Sequence, residues 1–513
     1  MPSVQLDDIL PHNLASTTMA RRLILLALLG CLVSVLAAAT QHTLQLKASK
    51  SNADSEYHVV THPEFSGYSL RLKTPTLCDD SVKQYSGYLD INEDRHLFFW
   101  FFESRSNPAS DPLVMWLSGG PGCSSSTGLL FELGPCSIQK DPDNGTVYTT
   151  RNEYSWNTQA NVFFLDQPAN VGYSFTTGGK NVTRTTEAAE DVYAFLQLFF
   201  ARFQEYAQLP FHIAAESYGG HYAPHIGSII HRRNKELADS GSPTSTRHIN
   251  LESIMLGNAL VDPLIQMPSM VEYVCDGAFA LFEPWSPTCL ALRANAPVCK
   301  GLIQGCYTTD SWAPCTPATL YCWQALYTPA ALKSGKNIYD IRRPCDRLSG
   351  ENPICYEEIA WVEEYMARPD VRSALGADPR APPFAACNYD MNVAFMYAGD
   401  GMRDSYRLLP ELVDEGVRLL IYAGDVDMLC NYLGELKWIS ALESTHWEAF
   451  NAAPFLPWTV SGRSAGVVHQ AGTGAGNVTY ARVCEAGHMV PHDQPAAALD
   501  MLIKWINNIP IAS

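Results

Sequence analysis

One stretch of the chain, residues 211–224, limits most strongly the fold that the sequence can adopt. It begins with a short apolar run, residues 211–215, that is typical of a buried strand, and it then turns at Ser217 into a glycine-containing segment that predicts a helix. A sharp turn from strand to helix exposes a serine hydroxyl, and small neighbours such as Ala215 let the backbone pass. Backbone N–H groups at the start of a helix stabilise an oxyanion. The stretch predicts either a nucleophilic Ser217 or an ordinary buried strand, turn and helix.

Apolar runs of strand length recur along the chain and alternate with segments of helical periodicity. The predicted strands are residues 84–91, 97–102, 112–117, 161–165, 251–256, 417–422 and 479–483, and the predicted helices are 185–204 and 496–506. Strands that alternate with helices favour a mostly parallel sheet covered on both faces. Residues 264–365 interrupt the pattern, because they are rich in Cys, Pro and Trp and lack clear periodicity. We therefore expect an α/β core at 77–263 and 366–513, with an inserted, disulfide-rich cap at 264–365.

The first 39 residues have the pattern of a secretory signal peptide. Arg21 and Arg22 precede an apolar run at 23–39 that ends in three alanines. A basic flank, an apolar stretch and small residues at the cleavage site are typical of such signals, although the run approaches the length of an uncleaved anchor. No later run is long and apolar enough to span a membrane, so no stable membrane insertion is expected after cleavage. Residues 40–76 are polar and predict a short pro-segment or a loose N-terminal extension.

Basic residues do not cluster after the N-terminus. The chain carries 35 basic and 53 acidic side chains, a formal net charge of −18. Nucleic-acid binding depends on clustered basic residues, so no nucleic-acid partner is expected.

Cysteines and sequons indicate passage through the secretory pathway. The three sequons begin at Asn144, Asn181 and Asn477, which are the predicted glycosylation sites. The chain has 15 cysteines, eight of them between residues 275 and 355, and none belongs to a Cys-x-x-Cys pair. A disulfide framework is therefore favoured over a zinc site, and no metal or cofactor is expected.

Two more reactive side chains follow predicted strands in the second half of the chain. Asp425 and Asp427 follow the strand at 417–422, and His488 follows the last predicted strand. Serine, aspartate and histidine in this order are the catalytic triad order of α/β-hydrolases. Alone, such an aspartate is often a cap and such a histidine is often structural. Together with Ser217 they predict catalysis, with either aspartate as the acid.

A glycine-rich loop, residues 118–125, follows the predicted strand at 112–117. It lacks the Gly-Lys-Ser/Thr ending of a phosphate-binding P-loop. We interpret it as an oxyanion loop, with a backbone N–H near Gly120 facing the substrate. His221 follows Ser217 by one helical turn, and we expect it to be structural because it would lie behind the nucleophile.

Taken together, these motifs resemble the serine carboxypeptidase family of the α/β-hydrolases. The matching segments are residues 116–125, 131–135, 161–174, 216–218, 257–258, 422–427, 430–431 and 487–491. They span residues 83–507, and the combination of Glu-Ser-Tyr with Gly-His-Met-Val-Pro is specific. The resemblance implies an α/β-hydrolase fold.

The resemblance also implies roles for individual residues. Asp427 becomes the triad acid, and Asp425 becomes structural. The oxyanion donors become the backbone N–H groups of Gly120 and Tyr218.

A site for the C-terminal carboxylate of the substrate is a further implication of the family. Glu216 pairs there with Glu132, and one of two close carboxyls keeps a proton that it can donate, because both cannot ionise easily. The indole N–H of Trp116 and the backbone N–H of Gly119 match the remaining donors. The family usually has asparagine at the position of Ser118, whose shorter side chain offers one donor.

Two pockets are implied beside the reacting bond. The leaving-residue pocket, expected to favour an apolar C-terminal side chain, consists of Thr127, Phe131, Tyr339, Tyr356 and Met489. On the acyl side, a family member is aromatic at the positions of Met267, Met270 and Gly401, so this pocket is expected to be roomier and more adaptable here.

The cysteine framework of the family implies five disulfides. They are Cys123–Cys387, Cys275–Cys289, Cys299–Cys322, Cys306–Cys315 and Cys345–Cys355. Cys430 matches a free thiol at the active site, and Cys31 leaves with the signal peptide. We expect a sixth bridge, Cys78–Cys136, which leaves Cys484 without a partner.

We expect a serine-type carboxypeptidase that removes C-terminal, preferably apolar, residues from peptides and proteins at acidic pH through an acyl-enzyme. An acyltransferase or esterase on the same fold is the alternative, and a non-enzymatic protective partner of other hydrolases is a third hypothesis. The expected location is the secretory pathway, either in a vacuole or lysosome or outside the cell. The oligomeric state is left open.

Overall fold

The computed structural model describes residues 57–92, 94–179, 181–240, 246–346 and 354–512. The predicted signal peptide at 1–39 and the adjoining residues up to 56 lie outside these ranges, so those expectations stay predictions. Helices within the described ranges are all too short or too polar to cross a membrane.

Most strands in the described part of the chain join one mixed sheet of 13 strands. The strands are β1 (His58–Thr61), β2 (Tyr68–Lys73), β3 (Gln84–Ile91), β4 (Arg95–Phe102), β5 (Leu113–Leu117), β6 (Cys136–Lys140), β7 (Val147–Arg151), β8 (Asn161–Leu165), β9 (Phe175–Thr176), β10 (Phe211–Glu216), β11 (Leu251–Gly257), β12 (Arg418–Gly424), β13 (Leu456–Val460), β14 (Arg463–Ala471) and β15 (Val478–Val483). Their order in the sheet is β1-β2-β3-β4-β8-β5-β10-β11-β12-β15-β14-β13, with β9 beside β4, while β6 and β7 form a separate hairpin. The strands from β8 to β15 in this order are parallel, and the outer strands are antiparallel.

Helices fill most of the connections between these strands. The α-helices of the described residues are α1 (Ser125–Gly128), α2 (Thr185–Arg202), α3 (Gly219–Ser240), α4 (Pro263–Cys275), α5 (Pro287–Thr309), α6 (Trp312–Cys322), α7 (Thr328–Ser334), α8 (Glu357–Ala367), α9 (Pro369–Leu375), α10 (Tyr389–Ala398), α11 (Leu409–Asp414), α12 (Tyr432–Ser440), α13 (Trp447–Ala452), α14 (Val490–Asp493) and α15 (Pro495–Ile506). The shorter helical turns are Leu129–Leu133, Trp156–Thr158, Trp323–Tyr327, Asp400–Met402 and Tyr406–Leu408.

Successive side chains of β4 enter two different hydrophobic cores. Phe99 packs in one cluster with Phe199 of α2. Phe98 and Trp100 pack in the other cluster, which also contains Trp505 of α15. Because neighbouring side chains of a strand point to opposite faces, the two clusters cover the two faces of the sheet. The fold is therefore the predicted α/β sheet with helices on both faces.

Two strands precede residue 77, where the sequence pattern predicts the core to begin. In β2, Leu70 and Leu72 are buried and their neighbours are partly exposed, an alternation too short to stand out in the sequence. Tyr57 donates a hydrogen bond to the carbonyl of Gly376 at 2.5 Å. The segment from β1 to β2 is thus an edge of the sheet, and a pro-segment role for residues 40–76 stays a prediction.

The region predicted to form the cap, residues 264–365, is more regular than its sequence pattern indicates. It contains most of α4 and all of α5, α6 and α7. Prolines lie inside three of these helices, at Pro268, Pro297 and Pro317. Because proline is a helix breaker in ordinary sequence patterns, these positions hide the helices. The boundaries of the cap stay a prediction.

Six disulfides join cysteines of the described residues, and they close loops that range from 9 to 264 residues. They are Cys78–Cys136, Cys123–Cys387, Cys275–Cys289, Cys299–Cys322, Cys306–Cys315 and Cys345–Cys355. These are the five pairs that the family resemblance implies and the additional expected pair. Cys430 and Cys484 are free.

The Cys78–Cys136 bridge gives a test of stability that leaves the cavity untouched. It closes a loop of 58 residues, so chain entropy predicts a loss of up to about 4 kcal/mol in the free energy of unfolding when both cysteines become alanine. Urea unfolding of the double variant measures this loss. Cys484→Ala, which removes a free thiol, is the control and should unfold near the wild-type midpoint. An unchanged midpoint in the double variant would contradict a stabilising role.

Candidate active site

Ser217 occupies the sharp turn between β10 and α3. Its φ of 61° is left-handed, which is a strained conformation for a residue with a side chain. Its N–H donates to the carbonyl of Gly257 at 3.0 Å, and its carbonyl accepts the N–H of Leu260 at 2.8 Å. These bonds to the end of β11 and the residues after it hold the turn and leave the serine partly exposed.

Small residues around the turn are a steric requirement. A Cβ on Gly219 would lie 2.6 Å from the Cβ of Ala215, and a Cβ on Gly220 would lie 2.5 Å from the carbonyl oxygen of Leu260. Larger side chains at these positions would push α3 away from the sheet. The geometry is that of the predicted strand, sharp turn and helix.

The predicted triad residues follow the carboxyl ends of β10, β12 and β15, which are parallel and close together in the sheet. Nδ1 of His488 lies 2.7 Å from Oδ2 of Asp427. Asp427 is fully buried and also accepts hydrogen bonds from Nδ2 of Asn258 at 2.9 Å and the N–H of Leu429 at 2.8 Å. A carboxylate fixed in this way keeps the proton of the imidazole on Nδ1 and leaves Nε2 to accept one.

The other aspartate and histidine considered for catalysis have different partners. Oδ1 of Asp425 accepts the N–H of Glu485 at 2.9 Å, so this side chain holds the start of the histidine loop. Nδ1 of His221 is hydrogen-bonded to Oγ of Ser405, and burial lowers the pKa of His221 to about 4. Neither contacts the imidazole of His488 in the way Asp427 does.

Ser217 and His488 line a cavity of about 440 Å³, a size that suits small ligands and single side chains. The other predicted site residues in its wall are Ser118, Gly119, Gly120, Thr127, Phe131, Glu132, Glu216, Tyr218, Tyr339, Cys430 and Met489. Met267 and Gly401 also line it. Three residues named from the resemblance, Trp116, Tyr356 and Met270, are buried and are not part of this wall.

The glycine-rich loop lies directly against the nucleophile turn. A Cβ on Gly119 would lie 2.5 Å from the backbone N of Tyr218 and 2.7 Å from the Cβ of Ser217. Gly120 has a φ of 109°, which favours glycine. The loop is tied down by the Cys123–Cys387 disulfide. The loop that carries Gly120 therefore lies next to Tyr218, the other predicted oxyanion donor, and both residues line the cavity.

The carboxyl groups of Glu132 and Glu216 lie together at the cavity wall and share a hydrogen bond. Burial raises the pKa of Glu132 to about 7. Burial, reinforced by the charge of Glu132, raises the pKa of Glu216 well above its ordinary value. Oε2 of each group is buried and has no hydrogen-bond partner outside the pair. Two close, buried carboxyls cannot both ionise easily, so the pair holds a proton.

Ser118 takes part in a chain of hydrogen bonds that begins at Trp116. The indole N–H of Trp116 donates to Oγ of Ser118 at 3.1 Å, so the indole reaches the cavity only through this hydroxyl. Gly128 packs directly against the indole, since a Cβ at this position would lie 2.3 Å from Nε1 of Trp116. The backbone N–H of Ser118 donates to Oγ of Ser125 at 3.1 Å. The Ser118 hydroxyl proton is left to point toward a ligand.

Aromatic packing shapes the leaving-residue side of the cavity. His492 stacks on Phe131 with ring centroids 4.0 Å apart, and Tyr356 packs edge-on against Phe131 at 5.5 Å. Tyr339 packs edge-on against His488 at 5.1 Å. Tyr356 thus supports the pocket from behind instead of lining it. His492 was missed by sequence reasoning, and no motif in a single sequence distinguishes it from a loop residue.

The two free cysteines differ in their surroundings. Cys430 lines the cavity, and its N–H donates to Oδ2 of Asp427 at 3.2 Å. Burial, with a smaller effect from Asp427, raises the pKa of the Cys430 thiol well above its ordinary value. Cys484 is half-buried, and its N–H donates to the carbonyl of Ala465.

Comparison with known proteins agrees with this arrangement of residues. Residues 75–508 match the family model described as serine carboxypeptidase. The chain is 43% identical to carboxypeptidase Y of Candida albicans over 457 residues, which cover 88% of this chain and 78% of that protein. It is 44% identical to carboxypeptidase Y homolog A of Botryotinia fuckeliana over 447 residues, covering 86% of this chain and 76% of the relative.

A solved structure shows the same fold. The structure of Kex1(Δ)p, a prohormone-processing carboxypeptidase from Saccharomyces cerevisiae, superimposes with a TM-score of 0.71 at 24% identity, covering 89% of this chain and 97% of the other. The family match extends from β3 to α15 and includes the nucleophile turn and the histidine loop. The chain therefore belongs to the serine carboxypeptidase family.

Proposed function

We propose that the protein, which is a serine carboxypeptidase, releases C-terminal, preferably apolar, residues from peptides and proteins at acidic pH through an acyl-enzyme on Ser217. The observation that carries this proposal is the buried Glu132–Glu216 pair in the wall of the cavity that Ser217 and His488 line. It supports selection of a free C-terminus beside the nucleophile.

The proposed reaction has two halves. Oγ of Ser217 attacks the carbonyl carbon of the last peptide bond while Nε2 of His488 takes its proton, and the carbonyl oxygen becomes an oxyanion facing the N–H groups of Gly120 and Tyr218. The C–N bond then breaks, and the imidazolium gives its proton to the leaving amine. Water attacks the acyl-enzyme in the same way and frees Ser217. Asp427 stabilises the imidazolium in both halves.

Carboxylate recognition is proposed to use neutral and proton-bearing groups in place of a basic side chain. The protonated member of the Glu132–Glu216 pair donates to one oxygen of the substrate's carboxylate. The hydroxyl of Ser118, which already accepts the indole N–H of Trp116, donates to the carboxylate, as does the N–H of Gly119. The substrate's negative charge is thereby met by hydrogen bonds.

Side-chain preference follows from the two ends of the cavity. The leaving side is lined by Thr127, Phe131, Tyr339 and Met489, whose largely apolar surfaces favour an apolar C-terminal side chain. On the acyl side, Gly401 and Met267 leave space beside Tyr218, and Met270 packs behind. Methionine adapts to ligands of varied shape, so we propose a broad acyl-side preference.

We propose passage through the secretory pathway, to a vacuole or lysosome or out of the cell. The predicted signal at 1–39 and the disulfides support this location. Asn144 and Asn181 are exposed and Asn477 is half-buried, so the first two are the better candidates for glycosylation. The acyltransferase or esterase alternative is not favoured, because the relatives described above are named carboxypeptidases.

The proton on the glutamate pair gives the test of the proposed function. The test compares kcat/KM for a blocked dipeptide with kcat/KM for its C-terminal amide. The ratio of the two should fall as pH rises through about 7, where Glu132 ionises. Above that pH it should fall by about tenfold per pH unit. The amide carries no charge and is not repelled by the ionised pair. Rates for both substrates from pH 4 to 8 measure this ratio.

Glu132→Gln is the matched variant, because glutamine keeps the shape and cannot ionise. Its ratio of acid to amide hydrolysis should be flatter with pH than that of the wild type. A wild-type ratio independent of pH would rule out the carboxyl-pair mechanism.

A further prediction concerns Ser118. Replacing Ser118 by alanine removes one donor to the carboxylate and should raise KM for a blocked dipeptide about fivefold with kcat little changed, equivalent to about 1 kcal/mol. Ser118→Asn supplies a longer donor and should lower KM below the wild-type value. Ser126→Ala is the control, since Ser126 is buried outside the cavity wall. Equal KM values for Ser118→Ala and wild type would refute a role in binding.

Another prediction concerns Cys430. An organomercurial should inhibit hydrolysis by binding the Cys430 sulfur in the cavity, whereas alkylation by iodoacetamide at pH 7 should be slow because burial raises the thiol pKa. Activity assays after each treatment measure both effects. Cys430→Ala should resist the mercurial, and Cys484→Ala should remain sensitive. Inhibition that persists in Cys430→Ala would assign the effect to another group.

A further inference from the structure

The side chain of Tyr218, the residue after the nucleophile, is anchored far from its own backbone. Its ring is buried against Tyr222 at 5.3 Å and Phe395 at 5.9 Å. Its hydroxyl donates to Oδ2 of Asp400 at 2.8 Å. Burial, and then the charge of Asp400, raises the pKa of the Tyr218 phenol well above its ordinary value, so the hydroxyl keeps its proton.

Asp400 is itself fixed by several partners. The same Oδ2 accepts hydrogen bonds from two groups of Thr185 at the start of α2, the backbone N–H at 3.1 Å and the side-chain hydroxyl at 2.5 Å. The guanidinium groups of Arg184 and Arg403 lie 3.7 and 3.9 Å from Oδ1. A buried carboxylate with three donors and two nearby cations is a rigid acceptor. Tyr218 is therefore tied to a fixed point outside the nucleophile turn.

The loop that carries Asp400 also touches the cavity. Gly401 lies against the tyrosine ring, since a Cβ there would be 3.0 Å from Cε2 of Tyr218. Gly401 and Met402 both line the acyl side of the cavity. One short segment thus contacts the substrate and, through Asp400, the residue proposed to bind the oxyanion.

We propose that Asp400 is a positioning residue that fixes the oxyanion-binding N–H of Tyr218, an inference that rests on the proposed role of this N–H. The backbone of Tyr218 follows a strained residue, Ser217, whose φ is 61°. A strained backbone conformation persists only where the surrounding structure holds it in place. On the C-terminal side of the turn, the anchored ring of Tyr218 provides this restraint. An oxyanion donor works only when it is held in place before the charge develops, and a shift of about 1 Å can cost on the order of 100-fold in rate. The hydrogen bond to Asp400 acts on kcat and not on substrate affinity.

The test compares Tyr218→Phe and Asp400→Ala with the wild type on a blocked dipeptide at pH 5. Each variant should lower kcat by about tenfold, less than the loss of a whole oxyanion donor, and leave KM within about twofold. Inhibition by a peptide aldehyde, whose adduct with Ser217 carries the oxygen of the tetrahedral intermediate, should weaken by a similar factor. The double variant should be no slower than the slower single variant, because each substitution removes the same hydrogen bond between Tyr218 and Asp400.

A matched control is available elsewhere in the core. Tyr206 donates its buried hydroxyl to Oε1 of Glu103 at 2.7 Å, and neither residue lines the cavity. Tyr206→Phe should destabilise the protein in urea to a degree comparable with Tyr218→Phe and should leave kcat unchanged. If Asp400→Ala does not fold, Tyr218→Phe decides alone. A wild-type kcat in Tyr218→Phe would overturn the inference, and so would an equal loss of kcat in Tyr206→Phe. Failure of the wild-type protein to hydrolyse peptides, or to become acylated at Ser217, would instead refute the proposed function.

Discussion

The left-handed backbone at Ser217 is the constraint on which the rest of the site depends. Such a conformation costs about 1–3 kcal/mol and persists only because the surrounding structure enforces it. Here the end of β11 and Leu260 hold the turn through backbone hydrogen bonds, and small residues let Gly119 and α3 approach it closely. The same close approach places the proposed oxyanion loop beside the proposed nucleophile.

Buried acids couple the chemistry of the cavity to the stability of the fold. Burial raises the folded-state pKa of Glu132 to about 7 and that of Asp166, which accepts a hydrogen bond from Ser124 of the oxyanion loop, to about 6. A carboxyl whose folded pKa lies above its unfolded value contributes full stability below the unfolded value, near pH 4, and that contribution is lost as pH rises through the folded value. The wall of the cavity is therefore most stable under the acidic conditions in which the glutamate pair holds its proton.

Much of the fold could be predicted from the sequence, because buried parallel strands are continuous apolar runs with polar residues at their ends. Ser217 and His488 could be identified in this way, since each follows such a run. The choice of Asp427 over Asp425 needed the family resemblance, because both follow β12 and only three-dimensional geometry separates them. Asp400 could not be found, since it lies in a short helical turn whose partners come from distant parts of the sequence.

The disulfide between Cys123 and Cys387 has a consequence for when the protein becomes active. It joins the oxyanion loop, made early in synthesis, to a segment 264 residues later. Asp427 and His488 are made later still. With the proposed roles of Ser217 and His488, a growing chain that has exposed Ser217 has neither its base nor its disulfide-tied loop, and so it cannot trim the ends of other proteins in the compartment where it folds. The order of the residues along the chain delays proteolysis until the polypeptide is nearly complete, without a separate inhibitor being needed for that interval.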